Sequence, residues 1–268
     1  MNEAGQHSGG RWTRAVLWLA AALLTVAITV LASCPASWMG ILLEKQTAGR
    51  LTLGDPQGSL WRGSAFVGGA AGKNEPVTPL LPGRFAWQLS PLVLIGRVDL
   101  LLENAQALTQ PVQVQGSWSE WHVSGSAITL PAERLSGLGA PLNTVQPSGT
   151  MQLSWGPLQI TRESAAVALV GQTTLALNDV ASRMSPVRPL GSYVVKMDWQ
   201  GLQAGLQLST VRGPMLLSGS GKFANGRMQF SGKAEAEAGQ EDKLANLLNL
   251  LGQRRRDGDK NSIALEFK

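Results

Sequence analysis

RMQFSGKAEAEA, residues 227–238, alternates along its length: Met228, Phe230, Ala234 and Ala236 fall on one side of an extended chain, and Arg227, Gln229, Lys233, Glu235 and Glu237 on the other. Successive side chains of a strand point to opposite faces, so this is the pattern of a strand with one dry and one wet face. Period two recurs upstream, in GRLTLGD (49–55), RFAWQLSP (84–91), PVQVQGSW (111–118), GTMQLSW (149–155), VALVGQTTLAL (167–177), SYVVKMDW (192–199) and PMLLSGSGKF (214–223). Polar-out alternation this regular predicts an antiparallel sheet with one solvated face.

Turn tokens separate the runs: DPQG (55–58), GLGA (137–140), PSG (147–149) and Asn225-Gly226, the strongest hairpin signal because both positions tolerate positive φ. DPQG carries Pro second and Gly fourth, as in a type I turn, and predicts a turn between the strand of Leu51 and Leu53 and one through Trp61 and Ala65. On this reading Gly58 and Gly63 serve the turn and Trp61 anchors the hairpin's apolar face as a core residue. Glycines inside strands, at 116, 171, 219 and 232, predict bulges and bends. The expected fold is therefore mainly β: a strongly curved antiparallel sheet, a groove or partial barrel.

Helical period appears in EDKLANLLNLLGQRRR (241–256), where Leu244, Leu247, Leu248 and Leu251 share a stripe, acids lead and Gly252 stops the run. A short C-terminal amphipathic helix capping the open end of the sheet is predicted. Arg254, Arg255 and Arg256 are then expected in an exposed loop, as a candidate contact for an acidic partner or anionic headgroups.

The N-terminal region differs. AVLWLAAALLTVAITVLASC (15–34) has no charge, and twenty residues at about 1.5 Å each match the roughly 30 Å hydrocarbon layer. Arg11 and Arg14 precede the run and set the expected topology, N-terminus in the cytoplasm. The predicted organisation is a cytoplasmic tail (1–14), a transmembrane helix (15–34), a linker or helix extension (35–48) and a periplasmic β-rich domain (49–268). A cleaved signal peptide and a lipoprotein acylated at Cys34, after Leu31-Ala32-Ser33, are the rivals; the apolar run exceeds the about 7–15 residues of a signal peptide.

Residues that could carry chemistry are few. One cysteine, Cys34, and two histidines, His7 and His122, leave no cysteine-rich metal site, and neither a metal nor another cofactor is expected. His122, between Trp121 and Val123, reads as a structural imidazole. GSGK (219–222) lacks the preceding glycine and following Ser or Thr of a phosphate loop, and Ser220 lacks the spacing of a nucleophile elbow. Asp99, Glu103, Glu120 and Glu133 are scattered, so no enzymatic activity is expected. The net charge of +5 forms no long basic stripe, against nucleic acid as a partner.

An anchor followed in order by GSLWRGSA (58–65), FAWQLSP (85–91), LPAERL (130–135), PSGTMQLSW (147–155), LGSYVVKM (190–197) and RGPMLLSGSG (212–221) resembles the type II secretion system protein N family. Each motif is short, and the series carries the resemblance. It implies a single-pass inner-membrane accessory subunit of a Gram-negative secretion machine, contacting other secretion subunits, of the inner-membrane platform or the outer-membrane secretin, through its periplasmic domain. It carries over no catalytic residue. A lipid-handling β-groove anchored in the same membrane is the alternative, with lipid as the partner.

Overall fold

The computed structural model describes residues 9–47, 49, 51–69, 78–133, 146–163, 166–224, 227–251, 253–257 and 260–267. Helix α1 (Gly9–Ala32) contains a span, Arg14–Ala32, long and apolar enough to cross a membrane, and none of it is buried against the rest of the chain. Its polar interruptions are satisfied internally: the hydroxyls of Thr25, Thr29 and Ser33 donate to the carbonyls of Ala21, Thr25 and Thr29 at 2.8, 2.8 and 2.6 Å. That pairing removes the cost of placing a free hydroxyl in hydrocarbon. A short break leads into α2 (Ser37–Gln46).

The remainder is one antiparallel sheet. It begins as a meander of β1 (Leu51–Gly58), β2 (Arg62–Gly69), β3 (Thr78–Leu89), β4 (Arg97–Glu103), β5 (Val112–Ser117) and β6 (Glu120–Val123). The next hairpin is built from interrupted strands: β6 pairs with β9 (Leu158–Glu163), and β7 (Ser126–Pro131) pairs with β8 (Pro147–Trp155). The long β10 (Ala166–Ser182) takes β9 along its first part and β8 along its second. The meander resumes through β11 (Gly191–Gly201), β12 (Gln203–Arg212), β13 (Met215–Ala224) and β14 (Arg227–Ala236). Helix α3 (Glu241–Leu251) then intervenes, and β15 (Gln253–Asp257) ends up outermost because β16 (Lys260–Phe267) pairs with β14. Among the described residues β1 and β15 do not meet, so the sheet is open rather than a closed barrel.

Curvature follows from the packing of α3. Its Leu244, Leu247 and Leu248 join one cluster with side chains of every strand from β10 to β16 except the outermost β15, including Val180, Tyr193, Leu208, Met215, Ala234 and Ile263. Strands stand about 4.8 Å apart, so the six from β10 through β16 would span about 24 Å if flat, twice the width of a helix. The sheet wraps the helix instead. Phe230 lies across Gly219 and Gly232, where an added Cβ would come within 2.5 and 2.8 Å of its ring, so the mid-strand glycines make room for an aromatic. Tyr193 fills the centre, its hydroxyl donating to the Met215 carbonyl at 3.0 Å; burial pushes the phenol well above its ordinary pKa.

A second, smaller cluster closes the other end: Ala36, Ala65 and Trp87, with Met39 of α2, Leu53, Leu100 and Leu102 against it.

Three expectations differ. PSG (147–149), read as a turn, opens strand β8, where Pro147 and Ser148 pair with Ser182 and Ala181. DPQG is not the first turn: β1 runs through it to Gly58, with a bulge between Gly54 and Gln57 and Asp55 at φ 48°. The bulge is held by Arg84, whose guanidinium donates to the Asp55 carboxylate at 2.7 Å while lying 4.7 Å from the Phe66 ring centre. The chain turns one step later, at residues 59–61, because Ala36 and Leu60 tie the hairpin tip to the end of α1 through bonds to Gly58 and Cys34 carbonyls. Arg254, Arg255 and Arg256, expected in a loop, form strand β15, paired with Ile263, Ser262 and Asn261. Asn225-Gly226 and GLGA (137–140) lie outside the described residues; the strands flanking the former pair at Ala224 and Arg227.

Candidate interaction surface

At the β1–β2 tip, Gly58 has φ 88°, and a Cβ there would lie 2.5 Å from the Arg62 carbonyl oxygen. Only glycine meets both demands without strain. Gly63 leaves room for the Trp87 indole, which would stand 2.5 Å from an added Cβ. Trp61 is half-buried and outside the core cluster; its Nε1 donates to the Leu31 carbonyl at 2.7 Å, joining the sheet to the last turn of α1. The tryptophan in the core is Trp87, 5% exposed, whose Nε1 donates to the Leu60 carbonyl at 3.0 Å.

Register aligns the apolar side chains of successive strands on one face. Val114 stands opposite Val123, Trp121 opposite Ile160, Ile160 opposite Leu169, Leu175 opposite Val195, Val195 opposite Leu208, and Met197 opposite Leu206. The α2 cluster covers this face at one end and α3 at the other. Between them the same side chains are only half-buried, while their neighbours in sequence, such as Lys196, Asp198 and Gln207, are exposed on the opposite face. Trp199 sits at this uncovered stretch, edge-on to Phe223 at 5.9 Å and donating to Thr173 Oγ1 at 3.0 Å. The arrangement offers a long apolar surface with few polar handles, suited to burying hydrocarbon or an apolar polypeptide segment.

The remaining candidates are dispersed. His122 is on the polar face of β6, exposed, with Nε2 3.9 Å from Glu120 Oε1, rather than a structural imidazole. Glu120 accepts from Gln159 at 2.7 Å. Asp99 and Glu103 belong to β4, while Glu133 follows β7. Ser220 and Lys222 point away from the Phe230 side of β13 and are exposed. Cys34 is a buried free thiol. Among the described residues no group of three His, Cys, Asp or Glu is placed to hold a metal ion. Arg11 and Arg14 lie in the opening turns of α1, far along the chain from Arg254–Arg256 on the outermost strand.

Fold and surface define a class: an open antiparallel sheet whose apolar face is left uncovered in its middle by the described residues, carried behind what is, among those residues, one apolar helix of membrane-spanning length. The family model of the type II secretion system (T2SS) protein N matches residues 49–260, the greater part of the chain, and the protein belongs to that family. It is thus an accessory component of type II secretion. Neither a curated protein nor a solved structure matches it.

Proposed function

We propose that α1 holds the protein in the inner membrane with Arg11 and Arg14 on the cytoplasmic side, and that the sheet lies in the periplasm and binds another subunit of the secretion machine. The observation that carries this reading is the uncovered apolar face between the two end clusters. A sheet that stood alone would lose stability by leaving Trp199, Met197 and Leu206 half in water, at about 25 cal/mol for each Å² left uncovered. A partner's apolar segment removes that cost. The edge strand β15, with Arg254, Arg255 and Arg256, is a second candidate contact, for an acidic subunit or anionic headgroups.

One observation favours a second reading. Among the described residues the middle of the apolar face is only half-buried, as a groove for acyl chains requires, whereas a purely structural sheet has no need of it. Affinity purification of the chain from detergent-solubilised membranes, reading co-purifying proteins and lipids together, separates the two. Met197→Glu with Leu206→Glu places charge on the half-exposed face without touching the end clusters. The pair is expected to release a secretion subunit under the first reading and bound lipid under the second. Retention of everything that the unaltered chain retains overturns both.

A further inference from the structure

Between β3 and β4 the chain makes a five-residue 3-10 turn, Pro91–Ile95, of sequence PLVLI. Ser90 caps it, accepting from the Leu92 N–H at 3.3 Å, and Gly96 ends it in the left-handed region. A tight surface turn is ordinarily polar, yet every side chain here is apolar, and Leu92, Leu94 and Ile95 are 43%, 52% and 78% exposed. Trp118, from the turn between β5 and β6, stands beside them, 61% exposed, its Nε1 donating to the Val93 carbonyl at 2.8 Å. These side chains form an exposed knob of hydrocarbon and indole that no described element covers.

Its position indicates what covers it. Pro91 and Leu94 line an open cleft of about 920 Å³ together with Ile28, Leu31 and Ala32 of α1 and with Trp61, which is bonded to the Leu31 carbonyl. Ile28 lies four residues before the end of α1, about 6 Å along the helix axis. A turn that shares a cleft with Ile28 therefore reaches the depth of the last turn of the membrane helix. Amphipathic segments seated in the interface bury their apolar side about 5–10 Å into the headgroup and acyl boundary, and tryptophan favours the same layer. Arg62, in the wall of the cleft with Asp99, and Arg97, directly after Gly96, are exposed cations available to lipid phosphates.

We infer that the Pro91–Ile95 turn and Trp118 form a second membrane contact, inserted in the bilayer interface beside the C-terminal end of α1, which fixes the tilt of the sheet over the membrane surface. The inference rests on α1 crossing a bilayer. A single helix leaves the domain free to swing about its end; a second apolar foothold beside it removes that freedom, and the uncovered face then holds one orientation relative to the membrane.

The test uses the full chain in nanodiscs of phosphatidylcholine and phosphatidylglycerol, with buried Cys34 replaced by Ala. An environment-sensitive fluorophore is attached at one of four positions: Ile95→Cys, Trp118→Cys, Leu24→Cys within α1, or Gln207→Cys on the polar face of β12. Labels at 95 and 118 are expected to be quenched several-fold more by spin-labelled lipid than by aqueous iodide, as at Leu24, with the opposite ranking at Gln207. If Leu24 is quenched by lipid while 95 and 118 respond to iodide, the anchor stands and the second contact does not. Shielding of 95 and 118 from both quenchers signifies a protein contact and also overturns it. Loss of lipid quenching at Leu24 as well removes the anchor and the inference together.

Discussion

Trp61 and Trp87 have nearly the same sequence setting, an indole amid alternating small and apolar residues, yet only one is core. The alternation identifies the apolar face; it does not say which part of the face another element covers. Trp87 is covered because Ala36 and Met39 pack against its cluster, whereas Trp61 is drawn to the end of α1 by a hydrogen bond. Trp87→Ala is therefore expected to cost about 3–5 kcal/mol in chemical denaturation. Trp61→Phe, which loses one bond at a half-buried site, is expected to cost about 1 kcal/mol or less. Equal losses would mean that both indoles belong to the core. Tyr193, the chain's only tyrosine, gives a pH test. Its buried phenol keeps its proton in the folded state, while an unfolded chain releases it above about pH 10. The contribution is complete below that pH and falls progressively as pH rises from there toward the raised folded value, since over that range the unfolded state binds fewer protons. Tyrosinate absorbance is expected to appear only together with unfolding; a reversible titration near pH 10 in the native protein would show an accessible hydroxyl.

Among the elements, those with a strong internal period were legible. The leucine stripe of α3 and the alternation of β11, β13 and β14 are local, and these elements formed where the pattern puts them. Elements defined by a distant partner were not. QRRRD has no alternation, and β15 exists because β16 offers an unpaired edge, which nothing in residues 253–257 announces. The PLVLI turn is passed over for another reason: the alternation of RFAWQLSP is carried through Ser90 and Pro91, a cap and first position that start a helical turn. The bulge at Asp55 depends on Arg84, twenty-nine residues away, so a local turn signal was overruled. For α3 the packing gives a direct expectation. Leu247, 1% exposed, sits in the cluster that joins strands β10 to β16, and Leu247→Ala is expected to lower stability by about 2–5 kcal/mol. Leu250, 46% exposed on the same helix, serves as the control: its replacement by Ala should fall within about 0.5 kcal/mol of the unaltered chain. A large effect at Leu250 would place that side chain against a partner or a membrane.

For the whole molecule, the direction in which the chain crosses a membrane is set at the start of the helix rather than by the open sheet. The asymmetry sits at α1, where Arg11 and Arg14 precede a span with no charge before Glu44 and Lys45. Basic residues close to one end of a span resist translocation, and the proposed topology, N-terminus in the cytoplasm and sheet exported, assigns that role to these two arginines. A periplasmic phosphatase reporter fused after Lys268 is expected to be active, and a fluorescent protein that folds only in the cytoplasm is expected to be dark. Replacing both arginines with Glu should shift part of the population to the reverse pattern, with no change in the melting of the correctly inserted fraction, because Arg14 is exposed and makes no core contact. Mass spectrometry of the mature chain adds the remaining discrimination. An intact N-terminus fits an uncleaved anchor, while a chain beginning at an acylated Cys34 would mean that α1 is removed and that the sheet is held by lipid alone.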